Sequence, residues 1–317
     1  MKRVCLPLDI EYRDYNTSNL HENDPYIVND DGELIIDKDW WDKDVPEYSK
    51  ELIQRKVEFK LGKVEIPHEV TLEMDLVVIY QAYQEGFEFP HWYSFVQDMK
   101  DTIVIKLNPM MKELFVEKKS EDMALLREYI SSKIGNDKLW FVKTGCTSGK
   151  NESHLQPLKN ADEIVERLLQ VREFQNRDFG IQDKDTYIII RPWNDKINAR
   201  NEFRLFVVNR RITGASPQKW AQCHNYTEEE LDIVEECILN ADLLRFSPYD
   251  TFVADVYIDF ETKECHLIEF NCFGDHSGAG SSLFNWQSDR DILYGSSQPE
   301  LRFISPINLY SFMDLIV

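Results

Sequence analysis

Apolar and polar positions along this chain follow two periods. Met123, Leu126, Tyr129, Ile130 and Ile134 keep helical spacing, which predicts a helix over 121–134 closed by Gly135 as a C-terminal cap. A second helix is predicted from Asn160, with Glu163 at the capping-box spacing and Ile164, Leu168 and Val171 on its inner face. Thr227 with Glu230 opens a third, through about Leu239. Strands are predicted at Thr102–Leu107, Leu139–Val142 and the β-branched Thr186–Arg191. Glu202–Val208 and Arg211–Ser216 flank Asn209-Arg210 as a hairpin, and Thr251–Ile258 and Glu264–Asn271 are joined by a polar turn. Strands and helices mix without strict alternation, which argues for α+β layers over one doubly wound sheet. There is no internal repeat and no low-complexity linker.

Composition narrows the classes. With 57 Asp+Glu against 36 Lys+Arg, the net charge of −21 repels phosphate backbones, which excludes sequence-independent coating of nucleic acid. A hydrophobic content of 43% is too rich for a disordered acidic chain. No apolar run approaches the roughly 20 residues of a membrane span, and the start breaks at Pro7 and Asp9, too soon for a secretory apolar region. Cys5, Cys146, Cys223, Cys237, Cys265 and Cys272 contain no Cys-x-x-Cys pair and read as free thiols. A soluble, cytoplasmic protein without a membrane partner is expected. The acids crowd at Asp30, Asp31, Glu33, Asp37, Asp39, Asp42 and Asp44, around Trp40 and Trp41. This stretch is either a solvated hairpin, with Asp31-Gly32 as turn and Leu34-Ile35-Ile36 as strand, or a docking surface for a basic partner.

Three groups of residues could carry chemistry. The loop Gly145-x-x-x-Gly149-Lys150-Asn151 has its glycines one residue too close for a P-loop, and Asn151 stands where a magnesium-binding Ser or Thr is needed. Its backbone N–H groups could still cradle phosphate, with Lys143 and Lys150 supplying charge; a flexible surface loop is the alternative. In the last hairpin, Glu269 and Asn271 are two apart and share a face. If the strands pair around Glu261, Asp255 lies opposite them, and two carboxylates with an amide oxygen make a hard-ligand set suited to Mg²⁺. Alternating acids on an exposed face are the alternative, against which stands the apolar setting of Asp255. Arg191 and Arg204 lie on apolar strands, where a guanidinium needs either a ligand phosphate or internal partners such as Glu202 and Asp255. Cys265 and His266 are adjacent on a strand and face opposite sides, so with Cys272 and His276 they make a poor zinc site.

The order of these features is similar to that of the ATP-grasp superfamily: a strand ending in Lys, a small-residue loop, arginines on later strands, Asp on one strand and Glu-x-Asn on the next. More closely, the chain resembles the cell-division-cycle protein 123 family, a branch of that superfamily. The likeness runs through Asp30-Asp31-Gly32-Glu33-Leu34, Phe89-Pro90, Val96-Gln97, and Phe174 with Arg177-Asp178-Phe179. It continues in Glu202-Phe203-Arg204, Phe206-Val207, Gly214 and Ser216, and is most specific in Phe252-Val253, Asp255-Val256-Tyr257, Leu267-Ile268-Glu269-Phe270-Asn271 and Phe273-Gly274. Glu269 stands where the family more usually has Asp, and 108–138 looks inserted.

The resemblance implies an ATP-grasp fold in which two α+β subdomains clamp a nucleotide. It implies three regions: 1–100 with the acidic hairpin, 101–185 with the lysine strand and lid, and 186–317 with the metal site. ATP would be bound by Lys143, Lys150, Arg191, Glu202 and Arg204, with Lys143 and Arg204 in the catalytic role, and Mg²⁺ by Asp255, Glu269 and Asn271. The family's eukaryotic role implies ATP-dependent assembly of translation initiation factor 2, with a subunit of that factor as partner. The alternative is an ATP-grasp ligase that joins RNA ends or couples a carboxylate to an amine through an acyl phosphate. The four cations would form a local basic cleft, which keeps a single RNA end compatible with the acidic charge.

Overall fold

The computed structural model describes residues 1–6, 26–28, 34–36, 84–96, 99, 101–135, 137–145, 147–148, 156–180, 185–220, 224–274, 279–286 and 288–304. The chain forms two compact units. One is continuous, Glu88–Lys196; the other combines Met1–Phe87 with Ile197–Val317.

The strands described are β1 (Lys2–Leu6), β2 (Tyr26–Val28), β3 (Leu34–Ile36), β4 (Ile103–Lys106), β5 (Trp140–Thr144), β6 (Tyr187–Pro192), β7 (Glu202–Val208), β8 (Arg211–Pro217), β9 (Phe252–Asp259), β10 (Glu264–Asn271) and β11 (Glu300–Ile304). The longer helices are α1 (Pro109–Val116), α2 (Ala124–Lys133), α3 (Ala161–Gln170) and α4 (Glu228–Leu239).

In the continuous unit, β4, β6 and β5 make an antiparallel sheet in that order. Alternation puts Ile103, Ile105, Trp140, Val142, Ile188 and Ile190 on one face. There they join Phe115 of α1, Leu126 and Ile130 of α2, and Ile164, Val165 and Leu168 of α3 in one core. The segment 108–138 thus supplies part of this core. Its helix begins as a 3₁₀ turn, Ser120–Met123, and ends differently from expectation. Ile134 leaves in extended conformation (ψ 141°) with its N–H on the Ile130 carbonyl, and Gly135 does not take up the left-handed cap. Asn160 caps α3, its side chain accepting the Glu163 N–H at 2.9 Å, while the Glu163 carboxylate accepts from the Lys159 N–H at 2.7 Å.

The discontinuous unit is built on a six-stranded sheet, β1-β11-β8-β7-β9-β10. β7 and β8 form the expected hairpin, turned by Asn209 (φ +50°) and Arg210 (φ +58°), the pair of left-handed residues that matches strand twist. Arg210 is anchored there by its N–H to the Asp250 carbonyl (2.8 Å) and its guanidinium to the Asp250 carboxylate (2.6 Å). α4 has a complete capping box between Thr227 and Glu230 and packs against β10. β2 and β3 pair antiparallel as the early hairpin; the rest of the acidic stretch Asp30–Asp44, with Trp40 and Trp41, lies outside the described residues. Among the described residues no helix is long and apolar enough to cross a membrane.

Candidate functional site

Register decides which side chains meet on the six-stranded sheet. Arg204 of β7 lies opposite Ser216 of β8 on one side and Asp255 of β9 on the other. From Glu264 to Leu267, β10 pairs regularly with β9, which would put Ile268 opposite Asp255. A β-bulge at Ile268 adds one residue, and Glu269 takes that place instead, with Asn271 opposite Val253. Opposed residues share a face, so the bulge turns Glu269 and Asn271 to the side of Asp255 and Arg204. The result is a transverse row, Ser216–Arg204–Asp255–Glu269, with Glu202 and Tyr257 in the next row.

The row is buried and strongly coupled in charge. Arg204 grips Asp255 through Nε to Oδ1 and Nη2 to Oδ2, both at 2.8 Å, and Nη1 donates to the Gly280 carbonyl at 3.0 Å. Asp255 is fully buried and Arg204 nearly so. Burial opposes the charge of Arg204, yet Asp255, and after it Glu269 and Glu202, hold its pKa above the ordinary value. The internal partner left open for Arg204 is therefore Asp255. Each carboxylate oxygen of Asp255 keeps a second lone pair beyond its bond to the guanidinium, so the residue still fits a hard cation. Asn271 Nδ2 is buried without a hydrogen-bond partner among the described residues. A half-turn of that amide presents oxygen there instead, so the donor set of Asp255, Glu269 and Asn271 fits Mg²⁺.

The second group belongs to the other unit. Lys143 of β5 faces Ile189, and Arg191 of β6 faces Phe141, so both cations lie on the sheet face turned away from the core. Lys143 is buried, and the Arg191 guanidinium sits 5.7 Å from the centroid of the Phe89 ring. Gly145, just beyond β5, leaves room for the buried Glu88: a Cβ there would stand 2.5 Å from Glu88 Oε2. Sequence reasoning missed the clamp on this strand end. The Thr144 hydroxyl donates to Asp178 Oδ2 (2.7 Å) and accepts the Thr147 N–H (3.2 Å), while the Thr144 N–H bonds the Thr147 carbonyl (2.9 Å). Asp178, fully buried at a π-helical turn over Gln175–Phe179, thereby fixes the exit of the lysine strand. Its signal in the sequence was its place in the Arg177-Asp178-Phe179 stretch of the family likeness. Lys150 lies outside the described residues.

On the zinc question, Cys265 and His266 do face opposite sides of β10, and His266 stacks on Tyr257 at 4.7 Å. Burial pushes the Cys265 thiol up to about 12, which makes it a poor metal ligand or nucleophile.

The D123 family model matches residues 136–313, more than half of the chain, and takes in the whole transverse row. The chain belongs to the D123 family. Among curated relatives, cell division cycle protein 123 of Eremothecium gossypii is 33% identical over 122 residues, covering 37% of this chain and 33% of that protein. A translation initiation factor eIF2 assembly protein of Vanderwaltozyma polyspora is 28% identical over 156 residues, covering 47% of this chain and 41% of that protein. The chain therefore matches only about a third to two fifths of these relatives' length. The crystal structure of Cdc123 from Schizosaccharomyces pombe aligns with a TM-score of 0.54 at 21% identity, over 70% of this chain and 96% of that one. The fold is thus that of Cdc123, with the mixed α+β layers that the sequence implied.

Proposed function

We propose that this D123 protein binds Mg·ATP and uses it, as a bound ligand, in assembling a translation initiation factor of the eIF2 type. The observation that carries the reading is the bulge at Ile268, which turns Glu269 and Asn271 to the face of Asp255 beside a buried arginine. In this reading Asp255, Glu269 and Asn271 hold Mg²⁺. The metal supplies charge neutralisation for the nucleotide's phosphates. Lys143, Lys150, Arg191, Glu202 and Arg204 are the residues that would contact the nucleotide. Lys143 and Arg204 would stabilise charge on a transferred phosphoryl group if ATP is turned over. The partner follows from the Vanderwaltozyma relative, whose name states that it assembles eIF2.

The test is thermal melting with ATP in the presence and absence of Mg²⁺, followed by capture of purified eIF2 subunits. ATP with Mg²⁺ should raise the melting temperature, and Glu269→Ala should abolish the Mg²⁺-dependent part of the rise. A rise that survives that substitution intact would remove Glu269 from the metal site. Release of AMP with 5′-phosphorylated RNA, or of ADP with a carboxylate and an amine, would move the chain to the ligases instead.

A further inference from the structure

The transverse row contains one residue that the nucleotide-binding reading leaves without a role. Ser216 is completely buried, and its Oγ has no hydrogen-bond partner among the described residues. An unsatisfied buried hydroxyl is a standing cost to the folded protein, and an alanine of nearly the same shape would remove it. Register places Ser216 directly opposite Arg204 on the polar face, so the hydroxyl stands on the side of the guanidinium away from Asp255.

Arg204 points to the same space. Of the five N–H donors of a guanidinium, two go to Asp255 and one to the Gly280 carbonyl, which leaves two. The segment around Gly280 approaches closely: Gly280 is left-handed (φ +70°), and a Cβ there would stand 3.3 Å from Arg204 Nη1. Ser282 ties this segment to β8 through its hydroxyl on the Pro217 carbonyl at 2.9 Å. Asn271 Nδ2, on the other side of Asp255, is the second buried polar atom of this face without a partner. Two unsatisfied polar atoms thus flank one bidentate ion pair on one face. Other such atoms lie elsewhere in the protein, so the case rests on the place of Ser216 opposite Arg204, where a ligand bound over the guanidinium would satisfy the hydroxyl.

We propose that Ser216 is a ligand-binding residue whose hydroxyl donates to a phosphate oxygen of the nucleotide held over Arg204. This rests on the Mg·ATP reading above and extends it to a residue on β8. The hydroxyl costs stability in the free protein and returns it as affinity in the complex, because a hydrogen bond to a charged oxygen is stronger than one between neutral groups.

The experiment compares wild type, Ser216→Ala and Ser216→Cys, each as the full chain, by melting without ligand and by titration with Mg·ATP. Ser216→Ala should melt at or above the wild-type temperature without nucleotide, yet bind Mg·ATP about tenfold more weakly, the low end for a hydrogen bond to a charged group. Ser216→Cys, with a weaker donor of similar shape, should fall between the two in affinity. Alanine affinity equal to wild type overturns the assignment, and so does a fall in affinity accompanied by a matching fall in ligand-free stability. If wild type itself shows no Mg·ATP binding, the nucleotide reading fails and the assignment fails with it. Normal wild-type binding with an indifferent Ser216→Ala defeats the assignment alone.

Discussion

A side chain in this protein does what its surroundings allow, and His91, on the short helix Phe89–Trp92, shows how far that reaches. Burial lowers its pKa to about 4; Asp185 pulls upward and Lys106 downward, and neither restores the ordinary value. The imidazole is thus harder to protonate in the folded chain than in the unfolded chain, where it titrates near about 6.5. Its contribution to stability is complete above the unfolded pKa and is lost as pH falls through the folded one. Melting temperatures of wild type should therefore decline between about pH 6.5 and 4 more steeply than those of His91→Gln, which cannot take up the proton. Parallel declines would assign the acid sensitivity to other groups. Individual residues were also the most legible level of the sequence. Asp255 and Arg204 announced themselves as charges in apolar strands, and Glu269 and Asn271 by their spacing of two. Asp178 did not, because its partner Thr144 is 34 positions away and the hydrogen bond joining them has no linear pattern. Ser216 entered only through the family likeness: a small hydroxyl in a strand suggests no chemistry until its surroundings show that nothing among the described residues bonds it.

Elements are where pattern and structure part. Period-two alternation located β9 and β10, but a regular ladder would have brought Ile268, not Glu269, to Asp255. The bulge had a trace in the consecutive apolar pair Leu267-Ile268, which breaks alternation just before the acidic residue. The helix caps were legible because side chain and backbone partners lie within four residues. The end of α2 was not, since Ile134 is buried in the core and leaves the helix in extended conformation before Gly135. A similar economy of space holds the 279–286 segment to the sheet. Gly214 of β8 has no side chain because a Cβ would meet Phe284 Cζ at 3.0 Å and Phe206 Cδ2 at 3.3 Å. Those rings pack edge to face and are buried with Trp286 and Phe273. Gly214→Ala should cost about 1–3 kcal/mol by overpacking, read as a lower denaturation midpoint at unchanged slope. Because the same segment carries the Gly280 carbonyl on Arg204, the variant should also weaken nucleotide binding. A fully stable Gly214→Ala would show that Phe284 has room to move.

At the scale of the whole molecule the question is what the charge of −21 does to an anionic ligand. Sequence reading set a basic cleft inside an acidic shell, with Arg204 among its cations. On the six-stranded sheet the balance runs the other way. One guanidinium faces Asp255, Glu269 and Glu202, a local excess of two negative charges. A divalent cation would neutralise these four side chains when all are ionised, whereas bare ATP would meet like charge both nearby and over the surface. The two fields respond differently to salt. Surface charges are screened beyond about 10 Å at roughly 0.1 M ionic strength, while buried charges are screened much less. Metal-free ATP should therefore bind weakly at low salt, and its affinity should hold or rise as salt increases from about 0.05 to 0.3 M, because the repulsive surface field fades first. Mg·ATP should bind far more tightly throughout. Titration in chelator across that range decides the matter. A steep loss of metal-free affinity with salt is the mark of a basic cleft, and would mean that cations outweigh both the carboxylates around Arg204 and the acidic shell.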